Sequence, residues 1–327
     1  METCCSGGSV RRARPGQSPG GLSRPWSDPR HRSTESNNTR HTRTHSKVTV
    51  VGNRLWSMAE RSSPCGNMAD GIPVLASHFL DTQPPAGKTD TAVIVCNWEL
   101  PDITPIILQN ARVRVCADGG ANRLFDQVPL LFPDRDPDHA RQEYLPDLIT
   151  GDLDSIRDDV RKYYEACGVK VVDLSHDQDS TDLMKCIEAI VRGHNVMSET
   201  GHFGAIVALG AQGGRLDHTL GHLSVLHKYR EFPLVLLGER NMTRLVPKGT
   251  AVIKPSTIEG PKCGLVPLTG EATVTSRGLE WNLENTKMQM GGLVSTSNHI
   301  AGHGGTHEQQ VFVETDTDLI WTVELQY

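Results

Sequence analysis

The sequence predicts an α/β domain, a mostly parallel sheet flanked by helices, followed by an all-β domain of antiparallel sandwich or barrel type. Three observations predict it. From Thr91 onward, short apolar runs alternate with segments of helical period. Most of those runs are short and continuously apolar at their centres, as strands are when crossover helices bury both their faces. After about residue 240 the helical period disappears, and β-prone runs follow one another between Gly, Pro, Asn and Asp.

The elements follow in order. Thr91–Cys96, Arg112–Ala117, Asp147–Thr150, Lys170–Leu174, Ala205–Leu209 and Leu234–Leu237 read as buried strands. Among the helical segments, Ile156–Cys167 places Ile156, Val160, Tyr163 and Cys167 on one face. Asp182–Arg192 does so with Leu183, Ile187, Ile190 and Val191, and Leu216–Tyr229 with Leu216, Leu220, Leu223 and His227. The β-prone runs are Thr250–Ile253, Gly264–Leu268, Ala272–Ser276, Leu293–Thr296, Gln310–Glu314 and Leu319–Glu324. The expected organisation is therefore 1–88 as an extension, 89–240 as the α/β domain and 241–327 as the all-β domain.

Residues 1–88 differ from the rest. Met1 to Ser57 holds ten Lys/Arg against three Asp/Glu, with abundant Ser, Thr, Pro and Gly. Such a segment buries too little apolar surface to offset its ordering entropy and is expected to be disordered. Its composition fits an organellar transit peptide, but it shows no amphipathic apolar face. Other readings are a later translation start at Met58 or Met68, or a basic interaction arm whose binding would be salt-sensitive.

Bulk composition sets the class. The chain's 327 residues are enough for two domains with cores of their own, and 37% hydrophobic with 22% charged is ordinary for a globular protein. A net charge of -6 argues against a dedicated nucleic-acid or membrane surface. The eight cysteines are scattered without a C-x-x-C pair, which reads as a reducing compartment. No apolar stretch approaches the roughly 18–20 residues a membrane span needs. A soluble, cytoplasmic protein is the expectation.

Parallel sheets bind ligands beyond the carboxyl ends of their strands. Four of those ends carry unusual polar residues. Asp118-Gly119-Gly120-Ala121-Asn122 follows one strand, and Gly151-Asp152-Leu153-Asp154-Ser155 the next. Asp177-Gln178-Asp179-Ser180-Thr181-Asp182 and Gly213-Gly214-Arg215-Leu216-Asp217 follow two more. Taken singly, each could be a turn or a helix cap. Together they bring acids to one rim, where carboxylates repel unless a cation lies among them. Oxygen-only ligands suit Mg²⁺ shared with substrate phosphates. The glycines and helix N-termini offer phosphate donors, and Arg215 could fork two phosphate oxygens. The reading is a Mg-nucleotide or other polyphosphate site, without a P-loop or dinucleotide fingerprint. His218 with His222, and His299 with His303 and His307, have metal-like spacing. They lack the companion residues of a zinc motif.

Cys116-Ala-Asp-Gly-Gly-Ala-Asn-Arg-Leu, Gly151-Asp-Leu-Asp-Ser-Ile, Asp177-Gln-Asp-Ser-Thr-Asp-Leu and Gly213-Gly-Arg-Leu-Asp-His resemble successive motifs of the thiamine pyrophosphokinases. Gly278-Leu-Glu-Trp-Asn-Leu and Gly292-Leu-Val-Ser-Thr-Ser-Asn resemble that family's thiamine-binding β-domain. The resemblance spans about residues 90 to 327. It implies transfer of pyrophosphate from ATP to the hydroxyethyl group of thiamine, giving thiamine diphosphate and AMP. By the resemblance, Asp152, Asp154 and Asp182 hold Mg²⁺ and the nucleotide phosphates, with Asp118, Gly119 and Gly120 beside them. Arg215, Asp217, Gly213 and Gly214 complete the phosphate side, and Gln178 and Thr181 line the cleft. It also implies a homodimer whose sites form between the α/β domain of one subunit and the β-domain of the other.

Trp281 then becomes the candidate thiamine platform, because an indole face attracts the cationic thiazolium by roughly 0.5–2 kcal/mol. Ser295, Ser297 and Asn298 are candidate contacts to the aminopyrimidine. Asp182 is a candidate acceptor of the hydroxyl proton. Two rival functions are a Mg-dependent nucleotide phosphohydrolase and a non-catalytic thiamine or nucleotide-binding module. Thiamine-dependent AMP formation separates all three.

Overall fold

The structure, a computed structural model, describes residues 68–69, 71–81, 90–193, 203–304 and 309–327. Its centre is a parallel sheet of six strands. In chain order these are β3 (Thr91–Val95), β4 (Ala111–Ala117), β5 (Leu148–Gly151), β6 (Lys170–Asp173), β7 (Ala205–Leu209) and β8 (Leu234–Gly238). Their spatial order is β8-β7-β3-β4-β5-β6, so the chain walks outward from β3 to β6 and then returns to the other side of β3. β3, β5, β7 and β8 are buried at every position, as strands covered on both faces must be.

Among the described residues, six α-helices form the covering layers. They are α1 (Thr104–Asn110), α2 (Gly120–Leu131), α3 (Pro137–Glu143), α4 (Asp158–Ala166), α5 (Asp182–Arg192) and α6 (Leu216–Lys228). Ile107, Leu124, Ala140 and Val160 of α1–α4 pack with Val93, Val95 and Ile149 on one face. Leu183, Ile187 and Ile190 of α5 and Val225 and Leu226 of α6 pack with Ala92, Ile94 and Val115 on the other. None of these helices is long and apolar enough to cross a membrane.

The sheet does not stop at residue 240. β9 (Asn241–Val246) pairs antiparallel with β8, and β16 (Leu319–Leu325), β11 (Glu259–Val266) and β14 (Ser295–His299) extend it to ten strands. A second, six-stranded sheet runs β1-β2-β10-β15-β12-β13. Its strands are β1 (Met68–Ala69), β2 (Ile72–Ala76), β10 (Gly249–Lys254), β15 (Val311–Thr315), β12 (Ala272–Arg277) and β13 (Thr286–Met288). Ala251, Ile253, Val274 and Val313 of this sheet share one apolar cluster with Leu265, Trp321 and Val323 of the large sheet. That cluster continues beneath α1–α4, so the sandwich and the α/β layers have a common core. The described residues all fall within one compact unit.

Two expectations are revised. Residues 71–81, expected to belong to a disordered extension, are part of the fold, because β2 pairs in parallel with β10 and Phe79 and Leu80 are buried. The buried Arg244 guanidinium donates to the carbonyls of Leu75 and Ala76, fastening that segment with bonds no local sequence pattern reveals. The expectations for residues 1–67 fall outside the described residues. On α6, the face that carries Leu216 and Leu220 is not a buried one, since these two side chains are 71% and 55% exposed. A helix that apolar periodicity does not mark, α3, is capped by the Asp136 carboxylate accepting from the amides of Asp138 and His139.

Among the described residues Cys96, Cys116, Cys167, Cys186 and Cys263 are free thiols. Burial pushes the Cys96 thiol up to about 12, which leaves it a packing group rather than a nucleophile.

Candidate active site

The acids arrive on three neighbouring elements. Asp118 ends β4 with φ 43°, Asp152 and Asp154 follow β5, and Asp182 opens α5. Parallel pairing of β4 with β5 sets the first two loops side by side. Gly151 lets them close. A Cβ there would lie 2.8 Å from Asp118 Cβ and 2.9 Å from Asp182 Oδ1. Leu153, between the two aspartates of its loop, takes φ 59°, a conformation that costs a branched side chain energy and turns the acids on either side of it.

Asp118 is buried and braces the next loop. Its two carboxylate oxygens accept the amides of Ser155 at 3.0 Å and Ile156 at 3.1 Å. The Asp152 amide donates to Asp182 Oδ1 at 3.2 Å. Thr181 caps α5 by accepting the Met184 amide. One ligand oxygen each from Asp118, Asp152 and Asp154 lies within 4.8 Å of the others. Oδ1 of Asp152 is buried without a hydrogen-bond partner. A buried carboxylate oxygen left so is costly unless a cation or donor completes it. The set therefore fits a hard divalent cation.

Electrostatics agree. Burial, then the charge of Asp152, holds the Asp182 carboxyl above the ordinary range. Burial does the same for Asp118, opposed by the amides of Ser155 and Ile156 and reinforced by Asp182. One cation partly offsets the crowd. Lys185, one turn along α5 and almost fully buried, reaches Asp182 Oδ1 at 3.4 Å.

A cleft of about 440 Å³ opens over these strand ends. Asp118, Gly119, Asp152, Thr181, Asp182, Gly213, Arg215 and Asp217 line it. Arg215 and Asp217 are exposed and form a two-contact ion pair, with Nε to Oδ1 at 3.1 Å. Gly120 instead starts α2, where a Cβ would lie 2.0 Å from the Val95 carbonyl oxygen. Gln178 turns back to donate to the Ser175 carbonyl at 2.6 Å. None of Gly120, Gln178, Gly214 and Asp154 lines the cleft, and Asp154 is exposed.

The second predicted cluster also assembles, apart from those lining residues. Trp281 is 55% exposed. Asn298 fastens its backbone in both directions, accepting the Trp281 amide at 3.2 Å and donating to its carbonyl at 2.8 Å. The same amide group also donates to Ser295 Oγ at 3.2 Å. The buried Asn298 amide is thus engaged by the Trp281 backbone and Ser295. Ser297 is exposed at φ 57°. The His299 ring lies 5.3 Å from the indole and pairs with Glu280 at 3.0 Å.

Sequence reasoning missed Asn97, Trp98, Arg123 and Lys185, and weighed His222 only as a zinc ligand. The end of β3 obeys the same strand-end rule as its neighbours, and applying it to Cys96-Asn97-Trp98 finds the first two. Lys185 resembles any helix lysine until burial is known. His222 Nδ1 donates to the Ala211 carbonyl at 2.6 Å, and burial lowers its pKa, so neutral imidazole keeps Nε2 as an acceptor.

A switch-point cleft that gathers carboxylates, glycine loops and an arginine defines an α/β enzyme acting on phosphorylated substrates. Comparison with known proteins narrows the class. The thiamin pyrophosphokinase catalytic domain matches residues 104–236, and the vitamin B1 binding domain of the same family matches residues 250–320. Thiamine pyrophosphokinase 1 of Oryza sativa subsp. japonica is 45% identical over 248 residues, covering 74% of this chain and 91% of the relative. Thiamine pyrophosphokinase 2 of Arabidopsis thaliana is 45% identical over 241 residues, covering 73% and 87%. Among solved structures, yeast thiamin pyrophosphokinase superposes with a TM-score of 0.63 at 26% identity, covering 77% of this chain and 90% of that one. The Candida albicans enzyme gives 0.64 at 24% identity, covering 82% and 97%, a likeness of fold. The chain belongs to the thiamin pyrophosphokinase family.

Proposed function

We propose that this chain transfers pyrophosphate from ATP to the hydroxyethyl group of thiamine by in-line attack of the hydroxyl on the β-phosphorus, with AMP leaving. The observation that carries the mechanism is the convergence of Asp118, Asp152, Asp154 and Asp182, with an unpartnered oxygen on Asp152. Asp152 and Asp154 would hold Mg²⁺, Asp118 is within reach of the same ion, and Asp182 flanks it through the Asp152 amide. When bound, the ion supplies charge neutralisation for the polyphosphate.

The chain's own groups do the rest. Arg215 lines the same cleft as the acids and is free to exchange Asp217 for phosphate oxygens, since the pair is solvent-exposed. Asp182, with its raised carboxyl, is the group suited to take the hydroxyl proton. Transfer of this kind depends on alignment and charge more than on covalent chemistry, and a braced loop such as Asp118 maintains fits that need.

Thiamine recognition is assigned to residues 241–327, with Trp281 facing the thiazolium and Ser295 and Ser297 offering hydroxyls. Leu216 and Leu220 beside the cleft, and Trp281, Met290 and Leu293 in the β-sandwich, are exposed large apolar side chains. Such surfaces support a homodimer in which the cleft of one subunit meets the Trp281 surface of the other. A cytoplasmic location belongs to the same reading. The decisive assay is incubation with ATP, Mg²⁺ and thiamine. AMP that requires thiamine supports the transfer, whereas phosphate release without thiamine indicates a hydrolase and binding without AMP a non-catalytic module.

A further inference from the structure

We propose that Trp98 is the wall against which the purine base of the nucleotide stacks, placing the nucleoside over the β3/β7 crevice and the phosphates over β4 and β5. The inference rests on the reading of the acidic rim as the polyphosphate site.

Topology marks the place. Strand order reverses between β3 and β7, and crevices of this kind receive nucleotides in doubly wound sheets. The carboxylates do not occupy that crevice, because they end β4, follow β5 and open α5. What occupies it is an indole on glycine backbone. Trp98 lies just past β3, where its amide donates to the Cys96 carbonyl at 2.9 Å. The loop after β7 passes so close that a Cβ on Gly213 would lie 2.6 Å from Trp98 Nε1, and one on Gly214 2.7 Å from its Cη2 and Cζ3. At φ 107° and 63°, both glycines also hold conformations that other residues rarely take. Two adjacent glycines thus fit this loop closely around the indole. Trp98 and Gly213 line the same cleft as Asp118 and Asp152. A flat apolar surface at one end and acids suited to a cation at the other match the two ends of Mg-ATP. A base carries an uncharged π-face that stacks on aromatic side chains, and phosphates gain nothing from such a surface.

The test separates the base from the phosphates. Dissociation constants for ATP, inorganic tripolyphosphate and thiamine are measured by calorimetry with Mg²⁺, for wild type, Trp98→Leu and Trp98→Phe. Trp98→Leu should weaken ATP by about tenfold or more, the scale of losing one base–aromatic stack. Tripolyphosphate should stay within about twofold, since no phosphate contact is touched. Trp98→Phe should recover most of the ATP affinity, which also shows that packing against Gly213 and Gly214 is not the cause. Unchanged ATP affinity in Trp98→Leu, or ATP and tripolyphosphate falling together, overturns the proposal. So does a loss confined to thiamine. If wild type binds ATP but not tripolyphosphate, the phosphate reading fails first and removes the ground of this one.

Discussion

The backbone amide of Asp152 donates to the Asp182 carboxylate at 3.2 Å, so the loop after β5 and the first residue of α5 are tied together at the centre of the acidic rim. The bond holds two carboxylates in a proximity that their charges oppose, and it makes Asp152 the residue whose removal is most informative.

Asp152→Asn should cut thiamine-dependent AMP formation by about two orders of magnitude or more, the scale of losing one group that manages developing charge. Without Mg²⁺ the same variant should be the more stable protein near neutral pH. Asp182 is raised by burial and by Asp152, so the folded chain holds that proton more tightly than the unfolded chain. The stability so contributed is complete below the ordinary value of 3.8 and is lost as pH rises through the raised one. Removing the Asp152 charge lowers Asp182 and shrinks that loss. Thermal midpoints across a pH series in chelator should therefore show a gain that fades toward about pH 4.

Gly151→Ala should disable the site more than it destabilises the fold. Its Cβ would press on Asp118 Cβ and Asp182 Oδ1 together, at 2.8 and 2.9 Å. Overpacking of this sort costs about 1–3 kcal/mol. Activity and Mn²⁺ binding, followed by paramagnetic resonance, should both collapse while the midpoint falls by a few degrees. A variant that binds Mn²⁺ normally would show that the acids tolerate the displacement.

Lys185→Met should lower stability by about 1.5–3 kcal/mol, as loss of a charged hydrogen bond does. The acids then lack their internal cation. Added Mg²⁺ should raise the melting midpoint of the variant more than that of wild type, because the ion replaces the missing charge as well as filling its own place. Equal shifts would place Lys185 outside the charge balance of the rim.

Trp281→Ala should raise KM for thiamine by roughly 2- to 30-fold, the equivalent of 0.5–2 kcal/mol of cation–π attraction. KM for ATP should not move. Trp281→Phe should lie between the two. A change in the ATP constant of similar size would mean that the indole supports the fold rather than the substrate.

Mixing Asp152→Asn and Trp281→Ala subunits tests the shared site. Assayed at thiamine well below KM, where both parents are impaired, half of the reassorted dimers contain one intact site if each cleft is completed by the partner, and roughly a quarter of wild-type activity returns. If each subunit is self-sufficient, mixing restores nothing beyond the residual activity of the two variants.

Much of this protein is legible in its residues. All six parallel strands begin and end within one residue of the runs their patterning marks, and α5 spans the residues its period assigns. Continuous burial is a local requirement, and a short chain segment records it directly. The aspartates are legible for the same reason, since Asp118, Asp152 and Asp154 follow apolar strands and Asp182 opens a helix with a clear period. The misread positions depend on distant partners. β2 forms because β10 and Arg244 are there to receive it. Leu216 and Leu220 have the period of a core face, yet the sheet beneath α6 is covered by Val225 and Leu226 instead.

The acidic rim shows the division most clearly. Sequence alone determined that acids would cluster at strand ends and that a hard cation suits them, because strand polarity and side-chain chemistry are properties of single segments. Which oxygens are spent and which remain was decided only by tertiary structure. Asp118 gives both of its oxygens to the backbone of the next loop, Asn298 gives its amide to Trp281, and Asp152 keeps one oxygen without a partner. Hydrogen-bond satisfaction and desolvation depend on what else fills the surrounding few ångströms, and residues far apart in the chain supply it.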